Sequence, residues 1–196
     1  MLRLNSEEEL EVLRKQVKYT RQKAGTTIIV CGGTGCTASR SKDVIDAINK
    51  ELLLQGTESG VQLRVTGCHG FCEQGPIAVI EPQNIFYCHI TPDDAYDIVE
   101  KTIKNGEVIE RLLYTDPVSG GKILTESEIP FYKAQDRQLL LQNREVNPCS
   151  LEDYISIGGF SALVKVLEEL SPEEIIREIK VSGLRGRGGG WFPYRT

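Results

Sequence analysis

Hydrophobic and polar positions follow two different periods along the first part of the chain. After Ser6 and three glutamates, which suit an N-cap and a first helical turn, apolar residues recur at helical spacing and predict a helix over residues 7–23. The run TTIIV at 26–30 predicts a buried strand, because short β-branched runs fill the interior of sheets. An amphipathic helix over 41–54 and a strand of alternating residues over 61–65 follow. The pattern therefore predicts a β-α-β unit.

Two more strands and a helix complete this region. The run IAVI predicts one strand, and IFYCHI at 85–90 predicts another, in which Cys88 is a buried small apolar residue. A threonine, a proline and two aspartates then start a helix over 91–104. The order β-α-β-β-β-α over 26–104 predicts an α/β fold, with a small mixed sheet of the thioredoxin type and flanking helices. The helical crossover makes its first two strands parallel.

The character of the sequence changes after residue 112. Turn residues dominate 113–150 and predict a linker with partial structure. Helical periodicity returns in 151–196, where SPEE has the form of a capping box. We therefore expect an N-terminal helix in 1–25, a thioredoxin-like domain in 26–112, the linker, and a final helical segment.

The composition narrows the classes of function. Among the 196 residues, 40% are hydrophobic and 26% charged, which is typical of a soluble globular protein. The net charge of −5 argues against a nucleic-acid partner. No apolar run approaches the roughly 20 residues that a transmembrane segment needs, and the charged N-terminus does not resemble a secretory signal. We expect a cytoplasmic protein that is peripheral to a membrane only through a complex.

Four of the six cysteines fall in two glycine-containing loops. Cys31 and Cys36 belong to CGGTGC, and Cys68 and Cys72 belong to GCHGFC. Because each loop follows one of two parallel strands, both are predicted at the carboxyl edge of the sheet, where open α/β sheets bind ligands. Soft thiolates in such loops suit an iron–sulfur cluster or a zinc ion, and redox-active thiols are a third alternative. The choice decides between electron transfer and a structural role.

Two other side chains have simpler explanations. His69 stands between two of these cysteines and is predicted to be an exposed loop histidine rather than a ligand. Cys149, which follows an Asn-Pro dipeptide, is predicted to be a free loop thiol. Neither residue is expected to extend the ligand set.

The cysteine spacing and its surroundings resemble a known family. Cys31-x4-Cys36 with Cys68-x3-Cys72, set in TGC-x-G-x-C and followed by GP, is similar to the thioredoxin-like [2Fe–2S] ferredoxin domain. That family includes the small iron–sulfur subunit of respiratory complex I. The resemblance implies one [2Fe–2S] cluster held by Cys31, Cys36, Cys68 and Cys72, and an electron-transfer function without a catalytic residue.

The downstream sequence resembles flavin-binding subunits. The stretches YTDPVSGGKILTESEIPFYKAQDRQLLLQN, EDYISIGGFSALVKVLEEL and SPEEIIREIKVSGLRGRGGGWFP are similar to the N-terminal part of NADH-oxidising (diaphorase) subunits. Such subunits occur in complex I and in NAD(P)-linked, including electron-bifurcating, [FeFe] hydrogenases. Their glycine-rich loop helps to hold FMN and the nicotinamide nucleotide, which implies a cofactor-binding role here for Gly186, Arg187, Gly188, Gly189 and Gly190. The same stretch also fits a flexible basic tail.

The resemblance implies a component rather than a complete enzyme. We expect an electron-transfer module of an NAD(P)H-oxidising or NAD(P)-reducing multisubunit oxidoreductase, with other subunits of a hydrogenase or NADH dehydrogenase as partners. FMN and NAD(P) are expected only where the rest of a flavin domain is supplied, since the sequence stops soon after the glycine-rich loop, as a truncated member would. The residues taken alone leave open a structural zinc- or thiol-based interaction module.

Overall fold

The fold is built around a four-stranded mixed sheet. The computed structural model describes residue 4 and residues 6–22, 25–57, 59–136 and 146–186. The strands of the sheet are β1 (Thr26–Cys31), β2 (Val61–Thr66), β3 (Ala78–Glu81) and β4 (Ile85–Tyr87), in the order β2-β1-β3-β4. β1 is parallel to β2 and antiparallel to β3, and β3 is antiparallel to β4. The predicted α/β class with a small mixed sheet is confirmed.

Helices lie where the hydrophobic periodicity predicts them, with one addition. The helices before β2 are α1 (Glu7–Gln22), α2 (Thr34–Ala38) and α3 (Ser41–Leu54). α3 has the predicted bounds, and its buried Val44 and Ile48 pack in one core with residues of β1. The short α2 was not predicted. It turns the chain directly after the first glycine loop.

Successive residues of β1 point to opposite faces of the sheet and enter two separate hydrophobic cores. Ile28 and Val30 pack on the face that α3 covers. Ile29 and Cys31 belong to the core on the other face, together with Phe86 of β4. The first cysteine of the chain therefore lies in a core as well as at a strand end.

The last strand is shorter than predicted. β4 ends at Tyr87, so the predicted placement of Cys88 inside a strand is wrong, although its burial is confirmed. The backbone N–H of Cys88 donates to the carbonyl oxygen of Leu112 at 2.9 Å, and His89 adopts a left-handed conformation with φ of 51°. A left-handed residue ends the pleated geometry of a strand, which explains the early termination.

The helix predicted after Thr91 is present, but its winding changes along its length. A 3-10 turn (Pro92–Asp94) leads into an α-helical turn, α4 (Ala95–Asp97), which continues as a π-helical stretch over Ile98–Lys104. The backbone N–H and the hydroxyl of Thr91 both donate to the Asp94 carboxylate at 2.7 Å. This pairing fixes the start of the helix.

Part of the segment predicted as a linker packs against the sheet. After a 3-10 turn at Glu110–Leu112, it contains a two-stranded sheet of β5 (Tyr114–Thr115) and β6 (Lys122–Ile123), a 3-10 turn at Glu126–Glu128 and α5 (Pro130–Lys133). The backbone N–H of Phe86 donates to the carbonyl oxygen of Leu124 at 2.8 Å. Tyr114, Ile129 and Tyr132 are buried in the core that contains Cys31. Residues 113–133 are thus attached to the sheet, while the division into domains stays a prediction.

The final described segment is helical, as predicted. It contains α6 (Leu151–Ser156), α7 (Ser161–Glu169) and α8 (Pro172–Val181), and α8 begins with the predicted capping box. α6 packs against α1 at the other end of the sequence. In the described part of the chain, no helix combines the length and the apolar character that crossing a bilayer requires.

Candidate metal centre

The first cysteine pair is held at the end of β1 and on α2. Cys31 is the last residue of β1, and Cys36 lies on α2; each is only 1% exposed. The backbone N–H of Gly32 donates to the carbonyl oxygen of Thr66 at 2.9 Å, which extends the pairing of β1 with β2 into the loop. The first loop is therefore fixed to the end of the neighbouring strand.

The second cysteine pair lies in the loop after β2 and is exposed. Cys72 opens a 3-10 turn (Cys72–Gln74), and the Cys68 sulfur accepts a hydrogen bond from the backbone N–H of Gly70 at 3.2 Å. Gly70 has a φ of 86°, a left-handed conformation that glycine adopts without strain. The parallel strands bring this loop beside the first one, as predicted, so a buried pair and an exposed pair of thiols adjoin.

Three glycines separate the two pairs, and the space beside each is filled by a cysteine. A Cβ added at Gly33 would lie 2.9 Å from the Cys68 Cβ, and one added at Gly35 would lie 2.8 Å from the Cys72 sulfur. A Cβ at Gly75 would lie 2.8 Å from the Cys36 sulfur. Real Cβ atoms do not approach other heavy atoms within 3.0 Å, so glycine at these positions lets the loops meet around the thiols.

The thiols perturb one another in pairs. The pKa of Cys31 is lowered to about 5, chiefly because the Cys36 thiol donates a hydrogen bond to it. The same hydrogen bond raises the pKa of Cys36. The pKa of Cys72 is raised mainly by the charge of neighbouring Cys68. The four sulfurs compete for negative charge, and bound cationic metal would relieve that competition.

The donor set suits a soft metal group. Four cysteine sulfurs adjoin, and thiolates prefer iron–sulfur clusters, zinc or copper(I). Among the described residues, no three side chains of His, Cys, Asp or Glu converge as the ligands of a single metal ion do. The sulfurs are instead disposed as two pairs, Cys31 with Cys36 and Cys68 with Cys72.

Comparison with known protein families matches residues 2–103 to the thioredoxin-like [2Fe-2S] ferredoxins. The chain belongs to this family. It is accordingly a ferredoxin-like electron-transfer domain, and the match favours an iron–sulfur cluster over the zinc and redox-thiol alternatives.

Relatives of this chain include both small and large proteins. A 2Fe-2S ferredoxin of Clostridium pasteurianum is 40% identical over 77 residues, which are 39% of this chain and 76% of that protein. The HndC component of an NADP-reducing hydrogenase of Solidesulfovibrio fructosivorans is 42% identical over 62 residues, which are 30% of this chain but only 12% of that protein. One of the NADH-quinone oxidoreductase subunits of Aquifex aeolicus is 43% identical over 67 residues, which are 33% of this chain and 16% of that protein.

A solved structure also resembles part of this chain. A thioredoxin-like [2Fe-2S] ferredoxin from Aquifex aeolicus has 27% sequence identity and a TM-score of 0.43. The likeness covers 50% of this chain and 97% of that protein.

His69, which stands inside the second cysteine loop, is buried rather than exposed. Its side chain is within 3.2 Å of the Thr66 hydroxyl, and its Nδ1 lies 3.7 Å from the Glu126 carboxylate. The prediction of an exposed histidine is wrong because Glu126 comes from a distant segment that closes over the loop. Proximity in sequence to Cys68 gave no sign of that contact.

An aromatic cluster beside the second pair was also missed. Phe71 stacks on Phe131 with ring centroids 4.2 Å apart and an interplanar angle of 9°. The ring centroids of Tyr132 and Tyr114 lie 5.7 Å and 5.5 Å from the centroid of Phe71. The aromatic content of GCHGFC and of IPFY is the only signal in the sequence, and it does not reveal that the two segments meet.

The glycine-rich loop begins at the end of the described residues. Gly186 follows α8 and is partly buried, whereas Arg187, Gly188, Gly189 and Gly190 lie outside the described residues. Their predicted role in binding FMN and a nicotinamide nucleotide stays a prediction.

Proposed function

We propose that Cys31, Cys36, Cys68 and Cys72 hold one [2Fe–2S] cluster and that the ferredoxin relays electrons inside an NAD(P)H-oxidising or NAD(P)-reducing multisubunit oxidoreductase. The observation that supports the ligand assignment is the set of three glycines that let Cys36, Cys68 and Cys72 come together, with Cys31 joined to them by its hydrogen bond with Cys36. A [2Fe–2S] cluster supplies one-electron redox chemistry with cysteine ligands, which requires no proton-transfer residue.

The protein's own residues would divide the site into an inner and an outer side. Cys31 and Cys36 are buried in the core, so they would hold the shielded side of the site. Cys68 and Cys72 are exposed and lie on the side that a redox partner can approach. Backbone N–H groups of His69 and Gly33 favour a thiolate at Cys31. Hydrogen bonds of this kind tune the potential of iron–sulfur proteins.

The final helices support a place in a larger assembly. Leu163 and Leu167 of α7 are 50% and 75% exposed, and Val181 at the end of α8 is 82% exposed. Both helices are amphipathic, and amphipathic helices normally bury their apolar face. We assign 151–196 to the start of a flavin-binding unit on this basis, with hydrogenase and NADH dehydrogenase subunits among the relatives. FMN and NAD(P) belong to the proposal only when the remainder of that unit is supplied.

Metal analysis and spectroscopy of the anaerobically purified protein test the ligand assignment. We expect iron and acid-labile sulfide in equal amounts at the [2Fe–2S] stoichiometry, visible absorption, and a rhombic EPR signal after reduction by dithionite. Cys36→Ser and Cys68→Ser should each remove most of the colour and the EPR signal, whereas Cys149→Ser, at an exposed thiol outside the site, should retain both. A colourless protein with stoichiometric zinc would contradict the proposal, as would full colour in Cys36→Ser.

The oxidoreductase context needs a separate measurement. Mixed with a flavin-containing NADH dehydrogenase or hydrogenase component as electron donor, the ferredoxin should be reduced when NADH is added. Reduction by dithionite but by none of these donors would restrict the proposal to a generic electron carrier.

A further inference from the structure

A segment downstream of the family match forms one wall of the cysteine site. The match ends at residue 103, yet the turn Glu126–Glu128 and the helix α5 lie against the loop that carries the exposed cysteine pair. The Glu126 carboxylate lies 3.7 Å from His69, and Phe131 stacks on Phe71. The wall therefore contacts the cysteine loop at two places.

Phe71 connects this wall to a cysteine. It immediately precedes Cys72, and its carbonyl oxygen accepts the hydrogen bond from the backbone N–H of Gln74 at 3.0 Å that closes the turn holding Cys72. The next bond of the same turn runs from the N–H of Gly75 to the carbonyl oxygen of Cys72 at 3.1 Å. A displacement of the Phe71 ring would therefore move the turn that aims the Cys72 sulfur.

Buried residues close to Phe131 in the sequence hold its segment in place. Ile129 is fully buried, and its carbonyl oxygen accepts a hydrogen bond from the backbone N–H of Tyr132 at 3.0 Å. The Tyr132 ring packs edge-on against Phe86 of β4, with ring centroids 5.9 Å apart, and also edge-on against Phe71. The Phe131 ring is partly exposed, so it lies between the buried aromatic cluster and solvent.

We propose that Phe131 is a positioning residue for the metal centre: through its stack on Phe71 it fixes the turn that holds Cys72. The inference rests on the proposed function, because it assumes that Cys72 is a ligand. The apolar Phe131 ring, packed on the residue before Cys72, disfavours the additional negative charge of the reduced state because it lowers the local polarity, and a fixed ligand turn slows the loss of metal.

The test compares the full-length Phe131→Ala variant with the wild type. We expect the variant to assemble the same amount of cluster. Its reduction equilibrium should shift toward the reduced form by about threefold or more, where tenfold corresponds to 59 mV for one electron. Its cluster should bleach about tenfold faster in the presence of a chelator. The rhombic EPR signal should change in its g-values, because Cys72 is less well fixed.

Matched variants separate positioning from general stability. Phe131→Tyr keeps the stack and should behave as the wild type does. Tyr96→Ala removes an aromatic ring that is 57% exposed, from a helix that packs on the opposite face of the sheet, and should leave the potential unchanged. If Phe131→Ala fails to accumulate as folded protein, the same measurements are made on Phe131→Leu, which keeps apolar volume without a flat ring. The same outcomes then apply.

The outcomes distinguish this inference from the ligand assignment. A wild-type protein without iron and sulfide contradicts the proposed function and the inference with it. A wild-type protein that holds the cluster, combined with unchanged potential and EPR signal in Phe131→Ala, overturns the inference alone. A lower melting temperature with an unchanged potential also overturns it, as does a Phe131→Tyr variant that shifts as far as Phe131→Ala.

Discussion

The guanidinium of Arg14 on α1 donates a hydrogen bond from Nε to the carbonyl oxygen of Ile155 on α6, at 3.0 Å. The same side chain donates to the carbonyl oxygen of Gly159 at 3.3 Å and to the hydroxyl of Ser161 at 2.8 Å. These acceptors lie at the end of α6, in the turn after it and at the start of α7, and the Ile155 carbonyl oxygen also accepts from the backbone N–H of Gly158 at 3.1 Å. Arg14 is only 9% exposed. One buried cation therefore ties the N-terminal helix, inside the family match, to helices outside it.

We expect Arg14→Met to lower the free energy of unfolding by about 2 kcal/mol, because hydrogen bonds from a charged donor contribute roughly that much. Urea unfolding measures the change, and hydrogen exchange should show loss of protection in α6. Arg177→Met, at an exposed residue whose ion pair with Glu174 is 4.0 Å long, should cost less than about 1 kcal/mol. Equal losses in both variants would show that the contacts of Arg14 are not what stabilises this junction.

The elements that the sequence predicts correctly are those with a local cause. The apolar face of 41–54 and the β-branched run at 26–30 each determine their own secondary structure, and the helical crossover then requires parallel strands. α2 was missed because five residues, TGCTA, are too few to display a helical period. The strand at 85–90 was predicted too long because a left-handed conformation at His89 cannot be read from a local pattern.

The sequence predicts that the two cysteine loops adjoin, but it does not predict what surrounds them; that the four cysteines are ligands stays a prediction. Cys31 ends β1 and Cys68 follows the adjacent parallel strand β2, so the sequence suffices to bring the two loops together. The burial of His69 and the stack on Phe71 depend on Glu126 and Phe131. Those residues reach the site through strand pairing and side-chain packing between distant segments, and such contacts leave no periodic signal in a single sequence.

Gly35→Ala sets two physical effects against each other. Gly35 lies in α2, where alanine would be favoured by about 1 kcal/mol on helix propensity. Its added Cβ, however, would lie 2.8 Å from the Cys72 sulfur and 2.9 Å from the Cys72 Cβ. We expect steric overlap to win and to lower cluster retention about tenfold, a typical cost of disturbing the surroundings of a metal ligand.

Iron per chain, and bleaching in the presence of a chelator, measure this effect. The matched control is Gly60→Ala, because a Cβ at Gly60 has no neighbour within 4 Å. The control should retain the cluster fully. A Gly35→Ala variant that is equally coloured would mean that the two loops can separate without loss of the site.

Cys88→Ala should leave the cluster intact. Cys88 is buried in the core that contains Cys31, and burial raises the pKa of its thiol, so it is a neutral apolar group rather than a thiolate. We expect unchanged iron content and EPR signal, with a decrease of about 1 kcal/mol in the free energy of unfolding from the lost packing. Loss of iron in this variant, as severe as in Cys68→Ala, would add Cys88 to the ligand set.

The pairing at the start of the 92–104 helix predicts a pH dependence. Burial raises the pKa of Asp94, but hydrogen bonds from Thr91 and from Arg111 outweigh it and lower the pKa below the usual value of 3.8. A lowered carboxyl pKa stabilises the folded state fully above the unfolded pKa, and this contribution is lost as the pH falls through the folded pKa.

Asp94→Asn should therefore cost about 1–2 kcal/mol near pH 7, and the difference from the wild type should narrow below about pH 4. Urea unfolding of both proteins from pH 7 downward measures the difference between their free energies of unfolding. Both proteins carry the same metal centre, so any loss of metal in acid affects them equally. Asp93→Asn, one residue earlier and exposed, is the control and should cost little at any pH. A cost of Asp94→Asn that is equal at pH 7 and pH 3 would show that the amide loses packing rather than charge, and that Arg111 does not stabilise the ionised carboxylate.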